Sequence, residues 1–171
     1  TDGLTGIANR RMFDQTLRLR LAEAVRDGSP LCLMLCDIDH FKRFNDTWGH
    51  ATGDQVLRFV GATLRNHARG VATAARYGGE EFALILPGMN RTEARELAEA
   101  TRRTIEIKRL KRKSTGEDLG RVTISGGIAE LRDGDTPADL IKRADACLYA
   151  SKRSGRNRMS ADDDPVAVAA A

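Results

Sequence analysis

Three short stretches of this chain carry side chains that could do chemistry together. Leu31 to Cys36 is an unbroken apolar run ending in Asp37-Ile38-Asp39. A strand buried on both faces reads this way, and its end would hold a carboxylate still at the edge of a cleft. Ala75-Arg76-Tyr77-Gly78-Gly79-Glu80-Glu81-Phe82 sets two glycines and two acids between strand-like segments. Gly-Gly there suits a tight hairpin whose central residues need positive φ, and a bare glycine edge lets a flat or charged ligand approach the backbone. The third group is basic: Lys42 soon after the aspartates, then Lys152 and Arg156 at the end of the last helical pattern. Asp37, Glu80 and Glu81 brought together would repel unless a cation shared them, and hard oxygen donors suit Mg2+ better than zinc. Mg2+ held by few carboxylates completes its shell with phosphate oxygens, and Lys42, Lys152 and Arg156 would neutralise the rest of a polyphosphate. Asn45 and Asp54 offer an amide and an acceptor to a base edge; an acceptor for ring N–H and exocyclic NH2 donors favours guanine over adenine. By themselves these residues point to metal-dependent nucleotidyl or phosphoryl chemistry on a purine triphosphate. Plainer readings stand beside that one: a solvated hairpin tip for the paired acids, a solvated strand end for Asp37, and helix-dipole complements for Asp54, Lys152 and Arg156.

The elements that must position these groups are written in the hydrophobic spacing. After a turn-rich lead-in, Phe13, Leu17, Leu21 and Val25 recur every four residues and predict a helix, stopped by Gly28-Ser29-Pro30. His40 to Asp46 predicts one or two helical turns, broken at Trp48-Gly49-His50. Thr52-Gly53-Asp54 is expected to open another helix, with Val56, Leu57, Val60 and Leu64 on one face. Val71 to Arg76 and Phe82 to Leu86 are the expected hairpin strands. Asn90 with Glu93 reads as a capping box for a helix carrying Ala94, Leu97, Ala98, Thr101 and Ile105 inward. Lys108 to Lys113 is a basic run read as a solvated loop, with an anion contact as its other reading. Arg121 to Ile128 predicts a strand in which Gly126-Gly127 marks a bulge or close approach. Thr136 and Pro137 start a last helix that buries Leu140, Ile141, Ala144, Cys147 and Leu148, and Gly155 follows it as a stop. The expected architecture is an α/β (α+β) sandwich. Its mostly antiparallel sheet is ferredoxin-like or palm-type with flanking helices, in the core order β-α-α-β-β-α-β plus one additional helix. Residues 1–160 read as one domain and 161–171 as a frayed tail.

Bulk properties narrow the partners. A chain of 171 residues, 41% hydrophobic and 30% charged, has the make-up of one globular domain with a real core. Its net charge of +4 favours an anionic partner without naming one. With 5% aromatic residues, stacking platforms for a nucleic acid are scarce, so no nucleic-acid partner is expected. No apolar run is long enough to span a membrane, and no signal peptide is visible. Cys32, Cys36 and Cys147 sit in apolar segments and read as reduced core residues of a cytoplasmic domain. The abrupt opening on Thr1-Asp2-Gly3 suggests a fragment of a longer protein.

Arg76-Tyr77-Gly78-Gly79-Glu80-Glu81-Phe82 resembles the signature of GGDEF-domain diguanylate cyclases, in the variant with Glu as the first acid. Asp2-Gly3-Leu4-Thr5-Gly6 with Asn9-Arg10-Arg11 resembles the family's opening. Asp37-Ile38-Asp39-His40-Phe41-Lys42, Asn45-Asp46, Gly49-His50 and Gly53-Asp54 match its second block. Val122 to Ala129, and Ala144-Asp145 through Leu148-Tyr149, Lys152 and Gly155-Arg156-Asn157, match the last two. The resemblance implies condensation of two GTP into cyclic di-GMP with loss of two pyrophosphates. It implies that Asp37, the Ile38 carbonyl and Glu80 hold Mg2+, with Mn2+ as the other candidate and Glu81 sharing the ion. Glu80 would also take the proton of the 3′-hydroxyl. Lys42 would stabilise charge on the transferring phosphate, and Phe41 would offer its backbone N–H. Lys152 and Arg156 would hold the triphosphate, Asn45, His50 and Asp54 would line the GTP site, and Gly79 would lie against the guanine.

One site holds one GTP, whereas the product is two-fold symmetric, so a second copy of the domain should meet the first face to face. The family usually leaves that pairing to an upstream sensory or coiled segment, so a monomer or weak dimer of low activity is expected here. One departure concerns feedback. The family's product-inhibition site is Arg-x-x-Asp, and the matching run is Arg69-Gly70-Val71-Ala72. Without the acid a guanine edge loses its acceptor, at a cost of about 1–3 kcal/mol, so feedback inhibition is expected to be weak or absent. The alternative function is a catalytically silent GTP- or cyclic di-GMP-binding regulatory module.

Overall fold

The computed structural model describes residues 1–165. In chain order the elements are α1 (Arg10–Asp27), β1 (Leu31–Ile38), α2 (Phe41–Trp48), α3 (His50–His67), β2 (Thr73–Arg76) and β3 (Glu81–Pro87). Then follow α4 (Arg91–Ile107), β4 (Leu110–Lys111), β5 (Asp118–Gly120), β6 (Ile124–Glu130), α5 (Pro137–Arg153) and β7 (Met159–Ala161). The main sheet has the order β2-β3-β1-β6-β7. β1 lies antiparallel between β3 and β6, and β7 joins β6 in parallel.

The apolar run of β1 is buried at every position because helices cover both faces of the sheet. Cys32, Met34, Cys36 and Ile38 face a core shared with Val56, Leu57, Val60 and Leu64 of α3 and Ala94, Ala98 and Ile105 of α4. Leu31, Leu33 and Leu35 face Phe13, Leu17 and Leu21 of α1 and Leu140, Ala144 and Leu148 of α5. The two-residue period of a strand thus sorts one sequence run into two cores. It also puts Asp37, next in the odd series, on the α1/α5 side. Gly126 and Gly127 mark the expected close approach: a Cβ on Gly127 would stand 2.2 Å from backbone atoms of Ala144 and Leu148, so α5 rests directly on β6. The three cysteines are free and buried. Burial pushes the thiols of Cys32 and Cys147 up to about 12, which keeps them inert.

Several expectations need correction. Val25 is exposed and Ala24 is buried in its place: at 100° per residue, Val25 lies about 120° around the helix from Phe13, whereas Ala24 lies about 20° away. α3 starts at His50, so Asp54 sits in its second turn and Thr52 and Gly53 are already inside the helix. β2 begins at Thr73, with Val71 exposed outside it, and β6 begins at Ile124. Gly78 and Gly79 do not take positive φ. The tip is longer than a two-residue turn, because the Tyr77 and Gly78 N–H groups both donate to Glu81 O (2.8 and 3.1 Å). The basic run is a solvated loop only in part: Lys108, Arg109 and Lys113 are exposed outside any strand, whereas Leu110 is buried and β4 pairs with β5. The tail does not fray at Ala161. β7 extends the sheet, and Asp162 is buried against Arg91 and Arg143. The rest of the expected tail, 166–171, lies outside the described residues.

Candidate active site

Asp37, Glu80, Glu81 and Lys152 meet at the end of the sheet where β1 stops and β3 starts. Asp37 of β1 lies opposite Glu81 of β3 in register, and the Ile38 N–H donates to Glu80 O at 3.3 Å. Both acids of the hairpin are therefore within one residue of Asp37 along the ladder, with Glu81 directly across from it. The hairpin tip is braced from three sides. Arg76 donates to Gly79 O (2.8 and 3.1 Å) and pairs with Asp2 at 3.3 Å. Tyr77 stacks edge-on against Phe13 and beneath the Arg10 guanidinium. The lead-in adds a bridge from Ala8 to the β2 edge at Ala75. Burial alone would raise the Asp2 carboxyl; hydrogen bonds from Thr5 and the Arg76 charge outweigh that and hold it below the ordinary carboxylate range.

Two aspartates two positions apart on one strand end have different fates. Asp39 is buried and saturated: it accepts from Thr123 Oγ1 and Ser125 Oγ, each at 2.7 Å, and from the Asn157 N–H at 3.0 Å. Asp37, 6% exposed, has one partner among the described residues, the ammonium of Lys152 reaching from the last turn of α5. Burial pushes its pKa up to about 6 although Lys152 pulls the other way. Too few donors for a buried charge is a mark of a functional carboxylate. The three acids do not form a ready-made cage: among the described residues no three His, Cys, Asp or Glu side chains are gathered to hold a metal. Asp37 is drawn instead to Lys152.

Next to the strand end, α2 starts with His40 in a left-handed conformation and no side-chain cap. The N–H groups of Phe41, Lys42 and Arg43 therefore lack a capping acceptor and suit an anion. Lys42 and Arg156 are exposed, and neither makes an ion pair among the described residues. Asn45 packs between α2 and α3. A Cβ on Gly53 would stand 1.8 Å from Asn45 Oδ1, so only glycine leaves room for it. That oxygen is buried and has no donor among the described residues, a state a bound N–H group would relieve. His50 opens α3 and Asp54 lies one turn on, partly exposed. At the far side of the domain, Arg69 is exposed and Ala72 donates to its carbonyl at 3.1 Å, across a turn with Gly70 left-handed.

Residues 1–158 match the family model described as "Diguanylate cyclase, GGDEF domain". The chain belongs to the GGDEF family. It is 43% identical over 158 residues to the diguanylate cyclase VdcA of Vibrio cholerae, a match covering 92% of this chain and 45% of VdcA. Among solved structures it resembles the GGDEF domain of DgcB from Caulobacter crescentus, crystallised in complex with cyclic di-GMP (50% identity, TM-score 0.94, 96% of this chain and 93% of that one). It also resembles the active GGEEF domain of a diguanylate cyclase from Vibrio cholerae (33% identity, TM-score 0.84, 92% and 99%). The chain spans less than half the length of the curated relatives it matches. As a GGDEF domain it has the expected mixed α/β fold. No helix among its described residues is long and apolar enough to cross a membrane.

Sequence reasoning missed the bracing. Asp39, Arg76 and Asn157 hold the site's parts in place, yet their partners are 84, 74 and 55 residues away, a distance at which no local pattern signals a contact. The donor-free Asn45 oxygen was also hidden, since it depends on how α2 crosses α3.

Proposed function

We propose that this domain condenses two GTP into cyclic di-GMP with release of two pyrophosphates, each of two copies presenting one nucleotide to the other. The observation that carries this reading is Asp37, a buried carboxylate short of partners, set opposite Glu81 and beside an uncapped helix start. The donor set, with Asp37, Glu80, Glu81 and the Ile38 carbonyl all supplying oxygen, fits a hard divalent cation, Mg2+ or Mn2+. Such an ion, when bound, supplies charge stabilisation on the phosphate oxygens.

The chain's own residues supply the rest. Lys152 leaves Asp37 for the triphosphate and shares it with Arg156, while the α2 N–H groups from Phe41 onward and the Lys42 ammonium face the phosphate under attack. Asn45, His50 and Asp54 hold the nucleoside, and Gly79 leaves the tip bare for the guanine. Glu80 accepts the proton of the 3′-hydroxyl. That oxygen attacks the α-phosphorus of the other GTP, and the bond to the bridging oxygen breaks so that pyrophosphate leaves. Holding both nucleotides in line supplies much of the acceleration. A GTP-consuming site of this kind works in the cytoplasm.

Incubation with GTP and Mg2+ followed by chromatography tests the reading. Cyclic di-GMP is expected, with specific activity rising with protein concentration because each product needs two copies. Bound but unreacted GTP would make the domain a silent module, and no binding would overturn the reading. Feedback should be weak, since Ala72 offers no acceptor beside Arg69. Micromolar cyclic di-GMP should leave turnover unchanged, and Ala72→Asp should make turnover sensitive to it.

A further inference from the structure

The loop carrying Arg156 has a conformation that the nucleotide site alone does not require. Arg156 and Asn157 are both left-handed, with φ 64° and 47°, a state that residues with side chains rarely take twice running. Bonds from two directions hold it. On the strand side, the Asn157 N–H donates to Asp39 Oδ2 at 3.0 Å and to Ser125 Oγ at 3.1 Å. On the helix side, Asn157 Oδ1 accepts from Arg102 Nη1 at 2.7 Å, and Asn157 Nδ2 donates to Glu106. Arg102 is itself paired with Glu99 and Glu106 of α4. The loop thus bridges the strand end that carries Asp37 and the outer face of α4.

We infer that Asn157 is a positioning residue for triphosphate binding. Gripped by Asp39 on one side and by Arg102 and Glu106 on the other, it fixes the left-handed turn that carries Arg156 just past the last turn of α5, where Lys152 stands. This rests on the reading of Arg156 as a phosphate ligand. A change at the partly exposed Glu106 edge of α4 therefore reaches the phosphate site through a single side chain.

The test is calorimetric binding of α,β-methylene GTP, which cannot be cyclised, to the whole chain and its variants. Asn157→Ala should weaken binding about tenfold, and in an Arg156→Ala background it should add almost nothing, because both changes remove one interaction. Glu106→Ala, at a site open enough to tolerate it, should weaken binding about threefold. Asn157→Asp combined with Glu106→Gln re-pairs the two side chains and should restore binding to within about twofold. Normal binding by Asn157→Ala, effects that multiply with Arg156→Ala, or a failed rescue would overturn the proposal. A parent chain that binds no analogue would overturn the nucleotide reading itself, and this proposal with it.

Discussion

The two ends of the sheet treat buried acids in opposite ways. At the end where β1 begins, Asp162 is buried and fully matched. Arg91 meets it at 2.6 Å and Arg143 at 3.4 Å, and the Glu130 N–H donates at 3.2 Å. Around it Arg143 takes Asp135 at 2.7 Å, and Arg95 takes Asp163 and Asp164 at 2.8 and 2.9 Å. At the end where β1 stops, Asp37 is equally out of water but has Lys152 alone among the described residues. A network in which both carboxylate oxygens of Asp162 accept hydrogen bonds locks the C-terminal strand to the body. A carboxylate left short of donors costs stability and is kept where a ligand supplies the missing charge. The contrast teaches which acids hold the molecule together and which await something else.

The sharpest way to break the comparison is to neutralise each acid. Asp37→Asn should lower cyclic di-GMP formation by about 10³-fold or more while leaving the melting temperature in EDTA unchanged or higher; a clear drop in melting temperature would make Asp37 structural. Asp162→Asn should do the reverse. It leaves Arg91 and Arg143 without their shared partner, so urea unfolding should show a loss of about 3 kcal/mol, with turnover per folded molecule nearly intact. A stable but inactive Asp162→Asn protein would erase the distinction. Lys152→Met should be milder, raising the KM for GTP about tenfold through the lost phosphate contact. If instead only kcat fell, Lys152 would act on the transition state and not in binding.

The smallest effect is in the pH dependence of stability. Burial holds the Asp37 pKa up at about 6, above the roughly 3.9 of an unfolded aspartate. The folded chain binds a proton here before the unfolded chain does. This group's contribution is therefore fully present below about pH 4 and lost as pH rises through about 6. Asp164 runs the other way: burial alone would raise it, but the bonds from Arg95 and the Ala161 N–H hold it low. Its contribution is present above about pH 4 and fades as pH falls. Metal-free parent stability minus that of Asp37→Asn should decline between pH 4 and 7; a flat difference would show that Asp37 titrates as a solvated acid.

Much was legible in the chain itself. The apolar run of β1, the capping box at Asn90, the Thr136 cap with Pro137 and the close approach at Gly127 under α5 are all local signals, set by a period, a cap or a missing Cβ. β4, β5 and β7 were not legible: strands of two or three residues are shorter than any alternation pattern, and only their pairing makes them strands. The Gly78-Gly79 tip followed the number of residues between paired strands and not glycine's own preference.

What the sequence alone determined is which residues could bind a cation and phosphates, because charge and donor chemistry belong to side chains wherever they stand. What tertiary structure decided is which of two neighbouring aspartates is spoken for. Asp37 and Asp39 are chemically the same, and Ser125 stands opposite Asp37 in the β1–β6 ladder, yet its hydroxyl, with that of Thr123 and the Asn157 N–H, goes to Asp39, while among the described residues Asp37 is left to a single lysine. Hydrogen bonds between residues some eighty positions apart exist only once the sheet has closed, and they decide which of the two acids is tied into it.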